Sequence, residues 1–364
     1  MLTVEQAIRI YRSLKSRRPK VWALAGMRLI GLRHLVIRMD TTNLCNLRCR
    51  MCFYSWEKKR RRQEMDPALF GKIAAEVFPR TRFLYLSCAT EPLMNRHFGS
   101  FLGCVSKYNV PFTSFCTNGM LLTESVVDSA IASGLSEIIF SVDGANPGTY
   151  EDIRRGAKWH RLLGALDLLR DKKEKAGATK PIGRINFTCM MRNIYEMPEV
   201  VRLAKAHGIF HVHVRHLVPV PTEAARDTFK EELAYQKVYN EVTTEARKVA
   251  DELGLQLFLP DPVPNGAHAA PAGAGGHREK NPYCMLPWFQ AIIKPDGDYQ
   301  LCSRLPNLGN LRNQSFCDIY CGEKLREIRR RLLRRTPDAC SWTCGHEAYA
   351  AAQLSAEDKR EAGA

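Results

Sequence analysis

Short apolar runs alternate with amphipathic stretches along the middle of the chain. Strands are predicted at Leu35–Met39, Phe83–Ser87, Pro111–Cys116, Glu137–Val142, Arg184–Cys189 and His211–Leu217, most of them ending in short polar or glycine-bearing loops. Helices fill the intervals. One starts at Asp66-Pro67, an N-cap followed by proline at the first helical position. Another starts at Thr123 and stops near Gly134, a long one runs from Trp159 to Lys175 and ends at Gly177, and one covers Glu196 to His207, closed by Gly208. Six strands alternating with helices imply parallel pairing through right-handed crossovers. A doubly wound sheet and a barrel both satisfy this pattern, and in either the chemistry sits at the carboxyl ends of the strands.

The flanks read differently. In residues 1–34, Thr3 to Gln6 forms a capping-box pattern, followed by Ile8, Ile10, Tyr11 and Leu14 at near-helical spacing and by Lys15, Arg17, Arg18 and Lys20. A basic helical arm packed on the main domain is expected, with peripheral contact to a membrane surface as the sharper alternative. Residues 35–220 form the main domain, and 221–280 a connector: a long helix over Thr228–Leu253, a short strand over Leu255–Leu259, and a Pro-, Gly- and Ala-rich linker over Pro260–Lys280. Residues 281–347 form a cysteine-rich module, and 348–364 a polar tail.

Composition narrows the class. Hydrophobic content of 45% and charged content of 25% are those of a globular protein with a large core. No apolar run is long enough to span a bilayer, and no secretory signal is recognised at the N-terminus. Thirteen cysteines without an export signal favour metal ligation in a reducing cytoplasm over a disulfide framework. The net charge is +16, with basic runs at Arg17-Arg18, Lys58 to Arg62, Arg329 to Arg331 and Arg334-Arg335. Scattered as they are, they are expected to be solvated faces; nucleic acid, anionic lipid and a phosphorylated substrate are the competing partners.

The candidate chemistry starts at Cys45-Asn46-Leu47-Arg48-Cys49-Arg50-Met51-Cys52, directly after the first strand. Three thiolates at CxxxCxxC spacing can hold three irons of a [4Fe–4S] cube, whereas a closed cluster takes four cysteines. The remaining iron is then open to an outside ligand, the feature that separates catalytic from structural metal centres. Zinc is the competing reading, although zinc sites usually pair CxxC motifs. The triplet resembles the hallmark of the radical S-adenosylmethionine (radical SAM) family, with Met51 at the place that is usually aromatic and Phe53 just after the last cysteine.

The resemblance implies an open (β/α)6 partial TIM barrel followed by a small C-terminal cysteine-rich α+β iron–sulfur domain. Glu91-Pro92, after the second strand, resembles the segment that receives the amino group of SAM, with Ala89 and Thr90 standing where the family has glycines. Asn118, at the end of the third strand, resembles another SAM-binding position. Ser141 and Asp143 resemble those near the ribose and carboxylate, and two residues apart on a strand they share a face. Arg154, preferred over Arg155 because it directly follows Ile153, resembles the arginine that pairs with the methionyl carboxylate in a two-point contact. Cys88, Cys104 and Cys189 have no spacing partner and are expected to be buried small residues.

Cys284, Cys302, Cys340 and Cys344, around a hairpin turning at Asp296-Gly297 and a helix over Phe316–Leu333, resemble the SPASM extension with its auxiliary [4Fe–4S] cluster. Cys317 and Cys321, at helical spacing, could replace a ligand or serve a second cluster; one auxiliary cluster is preferred. The implied activity is oxidoreduction. A cluster reduced by flavodoxin or ferredoxin cleaves SAM to a 5′-deoxyadenosyl radical, which abstracts a substrate hydrogen, and an auxiliary cluster near the barrel mouth takes up the remaining electron. A sugar-like or phosphorylated small molecule is the expected substrate. A peptide is the alternative, although 34 residues are too few for a leader-binding domain. A zinc-containing basic nucleic-acid-binding protein is the remote alternative.

Overall fold

The computed structural model describes residues 26, 31–56, 61–87, 89–217, 233–260, 284–302 and 305–334. Most of the predicted N-terminal arm, the linker from 261 to 280, Cys88, Cys340, Cys344 and the polar tail lie outside the described residues.

Strand β1 (Leu35–Met39) buries Leu35, Ile37 and Met39 completely and leaves Val36 and Arg38 half-buried, the alternation that a pleated strand imposes. The cysteine loop and the single turn α1 (Phe53–Trp56) follow, then α2 (Pro67–Val77), whose first turn is capped by Asp66 Oδ1 accepting from the Leu69 N–H at 2.8 Å. The chain continues through β2 (Thr81–Tyr85), α3 (Phe98–Ser106), β3 (Phe112–Thr117), α4 (Glu124–Ala132) and β4 (Glu137–Ser141). Next come α5 (Pro147–Ile153), α6 (Trp159–Ala176), β5 (Ile182–Cys189), α7 (Met197–Ala206) and β6 (His211–His216). Helix α6 stops at Gly177 in the left-handed conformation, as its sequence requires. Two helices escape the hydrophobic pattern. In α3 the buried stripe Phe98, Phe101, Leu102 and Val105 is interrupted by Gly99 and Gly103, and α5 is only seven residues long.

Strands β1 to β6 are parallel and stand in the sheet in the order in which they occur in the chain. A doubly wound sheet reverses its order at a switch point. Here no reversal occurs, so right-handed crossovers put every connecting helix on one side and leave the other as a concave inner face. This is an open partial barrel. On β5 and β6 the residues Ile185, Phe187, Val212 and Val214 pack in the main core on the helix side. Gly183 belongs to the same side; a Cβ there would meet Leu169 of α6 at 3.3 Å.

The sheet extends at both edges. After α8 (Leu233–Leu253), β7 (Gln256–Phe258) pairs parallel with β6. Beyond α9 (Leu286–Phe289), β8 (Gln290–Ile293) pairs parallel with β1, and β9 (Asp298–Gln300) and β10 (Gly309–Asn310) add antiparallel strands outside it. The C-terminal hairpin thus continues the barrel sheet. Lys72 of α2 secures it by donating to the carbonyls of Leu311, Arg312 and Gln314, and Glu76 accepts from the Phe316 N–H at 2.5 Å. The helix predicted over Phe316–Leu333 divides into α10 (Phe316–Tyr320) and α11 (Glu323–Arg334). At the break, a Cβ on Gly322 would lie 2.3 Å from the Asp318 carbonyl, so the chain turns where only glycine fits.

Candidate active site

The cysteine loop leaves the carboxyl end of β1 and is tied down on two sides. The Glu91 N–H donates to the Leu44 carbonyl, and the N–H groups of Arg48 and Arg50 donate to the carbonyls of Arg155 and Ile153 at 2.9 Å each. Arg50 adds an ion pair with Asp152. Gly156, at φ +93°, lets the backbone pass under the loop: a Cβ there would lie 3.5 Å from Leu47 Cδ2. Met51, in the place where an aromatic residue is usual, packs against a small apolar cluster of Ile153, Met190 and Leu217.

Within the loop Cys49 is buried, Cys52 half-buried and Cys45 exposed. Each of the three thiols lies within electrostatic reach of the other two. Burial pushes the Cys49 thiol up to about 12, the neighbouring Arg154 guanidinium pulling the other way, and burial likewise raises Cys45. Thiols held protonated by their surroundings become ligands when a metal's positive charge displaces the proton. Donors stand ready for sulfur: the Leu47 N–H is 3.5 Å and Asn118 Nδ2 4.0 Å from Cys45 Sγ, and Arg154 Nη1 is 3.9 Å from Cys49 Sγ. Among the described residues no three His, Cys, Asp or Glu groups converge closely enough to hold a single metal ion.

The other predicted residues gather at the neighbouring strand ends. Glu91 caps the short turn after β2 and is buried; its carboxylate accepts from Thr117 Oγ1 and from the Asn118 N–H, both at 2.8 Å. Burial pushes Glu91 up to about 7 against these donors. Asn118 also donates through Nδ2 to Asn46 Oδ1 at 2.8 Å, linking the end of β3 to the cysteine loop. Ser141 Oγ lies 3.3 Å from Cys116 Sγ.

Arg154 follows α5, is buried and pairs with Asp143 at 2.7 Å, whereas Arg155 is exposed. Asp143 is itself fully buried, and its Oδ1 accepts from the Thr188 N–H at 2.7 Å. The structure therefore gives Asp143 the task of holding Arg154 in place. Arg154 Nε is buried without a hydrogen-bond partner, a donor left over for a ligand. Two supports went unnoticed in the sequence. Glu196 accepts from the Ala145 N–H at 2.6 Å and from Thr149, and Asn193 Nδ2 donates to the carbonyls of Asp143 and Thr188. Both fix the loop after β4 from elements some fifty residues distant, and no local pattern marks them.

At the C-terminal end, Cys284 and Cys302 are half-buried, while Cys340 and Cys344 lie outside the described residues. The register that sets Ile292 opposite Gln300 carries Cys302 to the level of Gln290, at the amino end of β8. Because β8 runs parallel to β1, Cys302 lies toward the end of the sheet opposite the Cys45 loop, not at its mouth. Cys317 Sγ and Cys321 Sγ are 3.6 Å apart.

The radical SAM superfamily matches residues 39–186, and the SPASM iron–sulfur cluster-binding domain matches residues 284–345. The chain thus carries a radical SAM domain followed by a SPASM domain. Among curated proteins the chain is similar to the tungsten-containing aldehyde ferredoxin oxidoreductase cofactor-modifying protein of Pyrococcus furiosus, at 29% identity over 52% of the chain and 53% of that protein. The match thus spans about half of that relative. It is similar also to PqqA peptide cyclase of Xanthomonas campestris, at 23% identity over 79% of the chain and 73% of that protein. The fold is shared with Streptococcus suis SuiB bound to precursor peptide SuiA, with TM-score 0.62 and 17% identity over 86% of this chain and 72% of that one.

Proposed function

We propose that the chain is a radical SAM oxidoreductase that removes a hydrogen atom from a sugar-like or phosphorylated small molecule in a biosynthetic pathway. In this reading Cys45, Cys49 and Cys52 ligate the [4Fe–4S] cluster, and Cys284, Cys302, Cys340 and Cys344 ligate an auxiliary [4Fe–4S] cluster that accepts the residual electron. The observation that carries it is the docking of the three-cysteine loop at the strand ends, directly beside Glu91, Asn118 and Arg154.

When bound there, a reducible cluster with S-adenosylmethionine supplies one-electron cleavage of a sulfonium bond and hydrogen abstraction. The chain's own part is placement. Glu91 and Asn118 receive the amino group, Ser141 the ribose and Arg154 the carboxylate of S-adenosylmethionine. Asp143 positions Arg154, and the apolar cluster of Ile153, Met190 and Leu217 anchors the loop through Met51.

Metal analysis of anaerobically reconstituted protein tests the ligand assignment. Iron and sulfide are expected in equal amounts, falling by about half when Cys45, Cys49 and Cys52 are replaced together by alanine. Zinc without sulfide would overturn it. A second reading, modification of a peptide, is supported by the similarity to PqqA peptide cyclase over most of the chain. Mass spectrometry separates the two: a mass change coupled to deoxyadenosine release on a peptide alone would replace the small-molecule reading.

A further inference from the structure

The concave face of the barrel carries more positive charge than it neutralises. Register places its side chains in rows. Arg38, Tyr85, Ser114 and Glu137 stand side by side across β1 to β4; above them, toward the carboxyl ends, Cys116, Ile139, Arg184 and His211 form a second row; Asn186 and His213 lie in the third, and Arg215 in the fourth. Within strands β1 to β6 this face bears three guanidinium groups and one carboxylate.

The lone carboxylate is already engaged. Glu137 pairs with Arg184 at 3.3 Å, with both side chains largely enclosed, at 5% and 12% exposure. That contact accounts for one arginine. Arg38 lies over the Tyr85 ring at 5.8 Å, and Arg215, although within electrostatic reach of Glu137, forms no close ion pair with it. The same face holds buried polar atoms without a hydrogen-bond partner: Arg38 Nε, Arg184 Nε and Ser114 Oγ, which can donate, and the acceptors Asn186 Oδ1 and Glu137 Oε2. Buried polar groups are ordinarily satisfied, and several left over on one concave surface mark a place built for a ligand. A purely structural role, cross-strand pairing that stiffens the sheet, explains Arg184 with Glu137 but leaves Arg215, Arg38 and the unsatisfied atoms without purpose.

The local field has a definite sign. Burial pushes His213 down to about 3, with the charges of Arg184 and Arg215 adding to it, and His211 shifts in the same direction through burial and Arg184. Both imidazoles are therefore neutral at pH 7 and leave the excess charge to the arginines.

We propose that this inner face binds an anionic group of the substrate, a carboxylate or a phosphate, with Arg184 and Arg215 as its direct ligands and Arg38 at the border. Guanidinium groups recognise both anions through paired N–H donors, which gives orientation as well as charge. The site lies between the Cys45 loop at the strand ends and Cys302 at the opposite end of the sheet. An anion held there fixes how far the rest of the substrate extends toward the loop. The inference rests on the radical SAM reading above, since it names the substrate class of that same cavity.

Thermal unfolding of the reconstituted wild-type chain tests it, with inorganic phosphate or succinate titrated against chloride at equal ionic strength. Stabilisation by phosphate or by succinate beyond that by chloride is expected, and which of the two acts identifies the anion. Arg215→Gln, at an exposed position that the fold does not need, is expected to raise the apparent Kd about tenfold. Arg184→Gln should do likewise, and Arg202→Gln on the outer surface should leave the anion effect intact. Equal effects of all three anions on wild type, or an Arg215→Gln response equal to wild type, would overturn the proposal. Deoxyadenosine release by the same wild-type preparation reports separately on the radical SAM reading, so failure of one is distinguishable from failure of the other.

Discussion

Removing the Arg154 guanidinium would leave the wholly buried Asp143 carboxylate without a counter-charge. Breaking a buried pair from one side costs about 3–5 kcal/mol, whereas replacing both partners by apolar groups of similar size is often nearly neutral. Arg154→Met is therefore expected to lower the urea-unfolding free energy by that amount, and Arg154→Met with Asp143→Leu to recover much of it. Strictly additive effects in this cycle would show that the pair does not act as a unit. Single residues were legible where chemistry requires a fixed spacing. Cys45, Cys49 and Cys52 announce themselves because three irons need three thiolates close together in one loop. For Arg154 the sequence offered a resemblance to a carboxylate-binding arginine, and its pairing with Asp143 was not visible. That ion pair depends on how the loop after β4 meets the end of α5, and neither residue's neighbours in sequence encode that. Near Glu91, where Ala89 and Thr90 stand in place of glycines, the positive φ, 150°, falls at Ser87, whose hydroxyl donates to the Thr90 carbonyl at 2.7 Å.

The contact of α6 with β5 offers a pair of opposite outcomes from the same substitution. A Cβ on Gly183 would lie 2.2 Å from Ile209 Cδ1 and 3.3 Å from Leu169 Cδ2, so Gly183→Ala overpacks the interface and should destabilise by about 1–3 kcal/mol. On the open side of α6, Gly164 meets nothing within 4 Å, and Gly164→Ala should stabilise by about 0.5–1 kcal/mol through helix propensity. Chemical denaturation of both variants checks the direction; a stabilising Gly183→Ala would mean that the helix stands off the strand. Strand β6 adds a pH signature. His213 is held neutral in the fold to about pH 3, whereas an unfolded histidine protonates near 6.5. The folded state thus binds fewer protons between these values. Its contribution to stability is present above pH 6.5 and is lost as pH falls toward 3. His213→Phe, which keeps a ring beside Phe258, should flatten that acid limb, and an unchanged profile would contradict the shift. Elements with clear end signals were readable. Asp66 with Pro67 and Gly177 fixed α2 and α6, while glycines inside α3 and the brevity of α5 hid those two.

At the scale of the molecule, alternating strands and helices gave the barrel's parts, and the observed strand order decided between barrel and doubly wound sheet. What no local pattern could give was the docking of β8 on β1, four residues paired across more than two hundred and fifty positions of chain. That pairing moves Cys302 away from the mouth and makes the C-terminal hairpin part of the sheet. The basic surplus also resolves in part: on α11, Arg326, Arg330 and Arg331 pair with Glu323 and Glu327, while Arg329 lies over the Tyr320 ring at 4.4 Å. That run serves the helix. The central claim is that the three-cysteine loop, with Glu91, Asn118 and Arg154 beside it, is assembled to cleave S-adenosylmethionine. Its most direct test is to incubate reconstituted protein with dithionite and S-adenosylmethionine and to quantify the products. Methionine and 5′-deoxyadenosine in equal amounts are predicted, with neither formed by Cys49→Ala; an intact, reducible cluster that releases no 5′-deoxyadenosine would contradict the account.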